Sequence, residues 1–185
     1  MKSAFLLFLG FSFINITQND LEFNFGNSQN QINDWVVISD NVMGGVTKSK
    51  LEFTENTMVL SGNISLDNFG GFSSVKTKFS NFDLSEYKGV KIKFRSTNQN
   101  FAFTLEDSKN WTLPNFKGEF LSSKSNTWEE KTIYFKDFKE YQIGEPTGNK
   151  LKQTSLKKMV ILGIITTEKK EGLFSIEVDY IKFIR

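Results

Sequence analysis

From Leu21 onward, hydrophobic and polar residues alternate with a period of two along most of the chain. In GVKIKFRS, Val90, Ile92 and Phe94 fall on one side of an extended backbone and Lys91, Lys93 and Arg95 on the other. That pattern predicts a strand with one face in a core and one in water. NFAFTLED repeats it, with Phe101, Phe103 and Leu105 inward and Thr104 and Glu106 outward. The same period assigns to the core Leu51 and Phe53, then Met58, Leu60, Ile64 and Leu66, then Val75, Thr77 and Phe79. TWEEKTIYF offers Trp128, Ile133 and Phe135. MVILGIIT is apolar on both faces, which predicts a central strand under cover on both sides. LFSIEVDYIKFIR alternates on Phe174, Ile176, Val178 and Tyr180, then shifts phase to Ile181 and Phe183, which predicts a bulge or a change of sheet.

No long window keeps a helical period; LKQTSLKK can form one helical turn. Short strands with turn signals between them predict an all-β fold, an antiparallel β-sandwich of the jelly-roll type. Two prolines, Pro114 and Pro146, and no low-complexity stretch give no sign of a linker, so residues 18–185 are expected to form one domain. The longest segments without a strand pattern, 107–126 and 136–155, are expected to be irregular and to carry binding.

Two short stretches break the alternation, SDNVMGGVTKS and NFGGFSS, and they take four of the 13 glycines. Asp40 and Asn41 are turn formers whose side chains can bond backbone amides two residues on, while Gly44 and Gly45 permit positive φ as the chain reverses. Val42 and Met43 are expected to pack inward. Phe69 and Phe72 flank the second pair, one ring on each side of a backbone passing close to a neighbouring strand. Both pairs can be structural, tight crossings where a Cβ would clash. Alternatively, the two loops meet at one end of the sandwich and form a recognition edge. The binding candidates are then Asp40, Asn41, Met43, Gly44, Gly45, Asn68, Gly70, Gly71 and Phe72.

These stretches carry a family resemblance. DWVVISDNVMGGVTKSKLEF and LSGNISLDNFGGFSSVKTKF, followed by FDLSEYKGVKIKFRS, NTWEEKTIYFKDF and GLFSIEVDYIKFI, resemble the complex I intermediate-associated protein 30 family over about residues 23–184. The resemblance implies a galactose-binding-like jelly roll and a non-enzymatic task, binding intermediates during assembly of respiratory complex I. Relatives often carry Ser where this chain has Thr47, which keeps the hydroxyl. They often carry Arg at Lys76, where the planar fork that grips carboxylate or phosphate is lost.

The first residues differ from the rest. MKSAFLLFLGFSFINITQND has one cation, Lys2, then an apolar run from Ala4 to Ile14, then polar residues, the plan of a signal peptide cleaved after residue 17. The run is short for a membrane span. Export to a periplasmic or extracellular space follows if it is cleaved; otherwise the segment is a membrane-surface anchor or a buried first strand.

Composition prunes the chemistry. The 185 residues contain no His and no Cys, which removes disulfides, Cys nucleophiles, imidazole bases and His-ligated metals. The 20 Phe, 4 Tyr and 3 Trp supply enough ring area for one core. Net charge is only +2, and three cations on one strand face are a solubility feature, so no nucleic-acid partner is implied. Trp35 and Trp128 sit in strand patterns and are assigned to the core, whereas Trp111 in SKNWTLPNF is a platform on which a sugar ring could stack. Asp107, Glu119, Glu177 and Asp179 show no spacing that pairs them as acid and base, so no catalytic residue is assigned. Asp67 and Asn68 have oxygens of the kind calcium takes, yet no metal ligand set or cofactor is assigned. Two roles remain: a domain acting through protein contacts in assembly, and an extracytoplasmic carbohydrate-binding module.

Overall fold

Val90, Ile92 and Phe94 are buried and Lys91, Lys93 and Arg95 face outward on the strand Gly89–Thr97, as the alternation requires. The structure, a computed structural model, describes residues 20–26 and 34–185; the expected signal segment lies outside the described residues. Among these, thirteen strands run β1 Glu22–Asn24, β2 Trp35–Ser39, β3 Lys48–Phe53, β4 Met58–Ile64, β5 Ser73–Thr77, β6 Gly89–Thr97 and β7 Phe101–Glu106. They continue as β8 Asn115–Phe120, β9 Glu129–Tyr134, β10 Lys139–Gln142, β11 Glu145–Lys150, β12 Ile161–Thr166 and β13 Gly172–Ile184.

The strands form two antiparallel sheets, one ordered β3-β4-β13-β6-β9 with β1 beside β13, the other β11-β10-β8-β7-β12-β5-β2. One cluster of buried side chains fills the space between them, including Met58, Leu60, Phe94, Phe103, Ile164 and Phe183. This is an all-β sandwich in which each sheet sends alternate residues into a common core. The phase change in the last strand is a β-bulge: the register of β13 against β6 slips between Val178 and Tyr180. The slip lets β13 pair β4 through Val178 and β1 from Tyr180, along one edge.

Several expectations need correction. Segments 107–126 and 136–155 are not irregular, since they contain β8, β10 and β11. In β8 the alternation of Phe116 and Phe120 is broken by Gly118, where a Cβ would sit 2.6 Å from Ile133 Cγ2. β11 is polar and exposed throughout and β10 is only half-buried at Glu140 and Tyr141, so the hairpin has no hydrophobic period to read. Leu66 and Phe79 follow the inward phase but lie beyond the ends of β4 and β5 and are exposed. Trp128 is not core: it precedes β9, is 39% exposed, and carries the Arg95 guanidinium over its ring at 5.0 Å. Trp35 is buried, as assigned. The run LKQTSLKK forms a short 3-10 helix at Gln153–Lys158. The central strand β12 is sealed on its core face, but Ile161 and Ile165 on the opposite face are only half-buried.

Candidate functional site

The two Gly-Gly stretches come together because of strand pairing. β2 and β5 are antiparallel, with Ser39 opposite Ser73, so the chain leaving β2 and the chain entering β5 run side by side. The first of these segments crosses to β3 in the other sheet, and the second arrives from β4, which pairs β3. Two crossovers therefore sit next to each other at one end of the sandwich.

Asp40 staples them. Its carboxylate is 1% exposed and accepts from the Thr47 amide at 3.0 Å, the Gly71 amide at 2.7 Å and the Phe72 amide at 3.3 Å, and from the Thr47 hydroxyl. That hydroxyl in turn accepts from the Ser65 amide at 3.2 Å. Burial raises the Asp40 pKa, but these donors favour the ionised form more strongly and hold it below the usual carboxylate value. Asp40 does not make the local turn bond expected of it; it reaches across to the other loop. The glycines follow from that reach. A Cβ at Gly45 would collide with the Asp40 carboxylate, and one at Gly70 would sit 2.7 Å from Asp40 Oδ2 and 2.9 Å from the Ser65 carbonyl. Gly44 and Gly71 have φ of 91° and 122°. The Asn68 amide donates to the Gly44 carbonyl at 3.3 Å, while Asn41 is exposed and accepts from Ser39 Oγ at 2.6 Å.

The stapled loops form one wall of a cleft of about 330 Å³ on the outer face of the seven-stranded sheet. Met43, Gly70, Gly71, Phe72 and Trp111 line it, so the loops and Trp111 meet at one place. Val42 and Met43 do not pack inward, and Phe69 does not flank a neighbouring strand. Val42 and Met43 are 69% and 56% exposed, and Phe69 stands wholly free with φ of 61°. The inward expectation took apolar character as burial; these side chains are held out by the staple beneath them.

The floor is set by cross-strand register. Lys76, Gly163, Thr104 and Lys117 occupy one row across β5, β12, β7 and β8. A second row carries Ser74, Ile165, Ala102 and Glu119. Gly163 and Ala102 keep the floor low, and the bare Gly163 lets the Lys76 side chain lie across it to meet Glu106 at 2.6 Å. Thr104 and Glu106 point away from the core as expected, yet both are buried, because the cleft walls cover them. Tyr141 on β10 donates to Glu119 at 3.0 Å, and Lys117 Nζ lies 4.5 Å from the Tyr141 ring centre. Burial pushes the Lys117 amine below its usual pKa; Glu119 and Glu106 oppose the shift, Lys76 and Lys169 add to it. Thr104 Oγ1 and Asn115 Oδ1 are buried without a hydrogen-bond partner.

Sequence reasoning missed Lys76, Thr104, Glu106, Lys117, Glu119 and Tyr141 as lining residues. For all but Tyr141, which lies on β10, the signal was the polar phase of β5, β7 and β8, three strands whose outward positions all lie on one sheet face. Asp67 is exposed, and no group of three or more potential metal-ligating side chains occurs among the described residues. No described helix is long and apolar enough to cross a membrane.

Two antiparallel sheets enclosing one core define a β-sandwich of the jelly-roll type. The structure resembles the family 11 module of the cellulosomal cellulase Lic26A-Cel5E of Clostridium thermocellum, with TM-score 0.63 and 19% identity over 90% of this chain and 96% of that one. A structure of a family 11 module from the same organism in complex with a β-1,3-1,4-mixed-linked tetrasaccharide matches at TM-score 0.63 and 19% identity, over 88% and 94% of the two chains. The L4b domain of human laminin alpha-2 matches at TM-score 0.53 and 6% identity, over 89% and 97%. At such identities the likeness concerns the fold. The chain belongs to the Complex I intermediate-associated protein 30 (CIA30) family, whose model matches residues 23–178. No curated protein matches the chain.

Proposed function

We propose that this chain is a non-catalytic binding domain that holds an extended oligosaccharide in the cleft on its seven-stranded sheet. The observation that carries this reading is the division of labour in the cleft. Exposed apolar and aromatic side chains, Trp111, Phe69 and Met43 among them, stand on the walls, and hydrogen-bonding groups that reach solvent, Lys117, Glu119 and Tyr141, lie between them. Sugar rings offer C–H faces to the first and hydroxyls to the second. The family 11 module described with a bound tetrasaccharide supports it by fold. Residues 18–185 act as the single domain, exported after cleavage of residues 1–17, where glycans are met.

The test is titration of the full chain against a panel of oligosaccharides by calorimetry, with Trp111→Ala as the partner measurement. Saturable binding that Trp111→Ala weakens by roughly tenfold, the scale of one stacked ring, is expected. Failure of every sugar to bind overturns the reading.

A second reading, a protein partner of the kind the family description names, is favoured by one observation. Phe69, Val42 and Met43 form an exposed apolar rim on the stapled loops. Cross-linking from position 69 that captured respiratory assembly intermediates, with no sugar binding, would favour it.

A further inference from the structure

We propose that the occupant of the cleft is an acidic oligosaccharide, with an anionic substituent seated against Lys117 and Lys169. This deepens the carbohydrate reading and rests on it. Five charged side chains line the cleft: Lys76, Lys117, Lys169, Glu106 and Glu119. Lys76 and Glu106 neutralise one another at 2.6 Å, and Glu119 is engaged by the Tyr141 hydroxyl. Lys117 and Lys169 make no ion pair among the described residues; Glu119 acts on Lys117 through its charge without pairing with it, and three lysines against two carboxylates leave the cleft one positive charge in excess. On the outer face of the other sheet Lys93 meets Asp179 at 2.7 Å and Lys91 meets Glu130 at 3.6 Å.

An ammonium that is partly desolvated and lacks a counter-ion is held at a cost. The Lys117 amine rests over the Tyr141 ring; burial disfavours its charge, Lys76 and Lys169 add to that, and Glu119 and Glu106 oppose it. An anion at this place removes the repulsion among the three lysines and supplies the missing partner. The Lys169 side chain packs beside Gly71 on the stapled loop, which brings a second ammonium to the same cleft. A carboxylate of a uronic acid and a sulfate ester share the required chemistry, a compact anion with several acceptor oxygens.

The experiment is calorimetric titration of the full chain with four probes: an oligogalacturonate, a sulfated galactan oligosaccharide, a neutral β-1,3-1,4-linked gluco-oligosaccharide and a polyglutamate peptide. At least one acidic sugar is expected to bind about tenfold tighter than the neutral one, and which one identifies carboxylate or sulfate. Raising ionic strength from about 0.05 M to about 0.5 M should shrink that ratio, because exposed parts of the interaction are screened. Lys117→Met and Lys169→Met should each bring the ratio toward one, while Lys182→Met on the opposite sheet retains it. The wild-type salt series carries the test even if a variant fails to fold. Equal binding of neutral and acidic sugars overturns the inference and leaves the carbohydrate reading intact. Binding of no sugar overturns both, and tighter binding of polyglutamate than of any sugar overturns it in favour of an acidic peptide.

Discussion

Asp40 is the residue on which the geometry of the cleft wall turns. One buried carboxylate satisfies three amides and a hydroxyl from two loops, and hydrogen bonds to a charged acceptor are worth roughly 1.5 to 3 kcal/mol each. Asp40→Asn leaves some of those donors without an acceptor and should lower stability by about 2 kcal/mol or more, read as a fall in Tm. The pH dependence has a definite sign. Because the folded pKa lies below the ordinary value, the Asp40 contribution is complete above about pH 4 and is lost as pH falls through the folded value. The Tm of the wild type should therefore drop more steeply below about pH 4 than that of Asp40→Asn; parallel curves would refute the staple. Trp111 belongs to the opposite category. It is 60% exposed, so Trp111→Ala should leave Tm nearly unchanged while reducing glycan affinity. The sequence marked Asp40 as important through its turn chemistry, but local rules could only point to amides two residues away. Its real partners are seven and thirty-one residues on, and only the pairing of β2 with β5 places them in reach.

Among the elements, the β10–β11 hairpin shows a conflict between local preference and position. Its two-residue turn is Ile143-Gly144, with φ of 49° and 83°, where Asn-Gly is the favoured pair. A β-branched residue there is strained by something on the order of 1 kcal/mol, yet Ile143 lines the cleft and is 53% exposed. Ile143→Asn is expected to raise stability by about 0.5 to 1 kcal/mol and to weaken ligand binding. A stabilised variant with undiminished affinity would remove Ile143 from the site. Gly71→Ala should be destabilising by about 1 to 2 kcal/mol, given φ of 122° and Leu66 Cδ2 at 2.9 Å from the added methyl. The hairpin was invisible to periodicity because an exposed edge pair has no buried face to pattern. By contrast β6, β7 and the bulge in β13 were legible, since each has one face fixed in the core and a slip would move every apolar side chain into water.

At the scale of the molecule, the sandwich separates the core from the proposed recognition surface. Side chains of one phase build the core; on the seven-stranded sheet the other phase, with the loops at one end, builds the cleft. The fold class could be read from the sequence because burial imposes period two on nearly every strand. The cleft could not, because its floor is assembled from polar residues of strands far apart in sequence, Lys76, Thr104 and Lys117, brought into one row by register alone. The decisive measurement follows from that separation: amide and methyl chemical-shift mapping of the full chain during titration with the tightest-binding oligosaccharide. The account predicts perturbations that converge on Thr104, Lys117, Tyr141, Trp111 and the Gly70-Gly71 amides. Perturbations confined to the outer face of the six-stranded sheet, around Lys93 and Trp128, would contradict it.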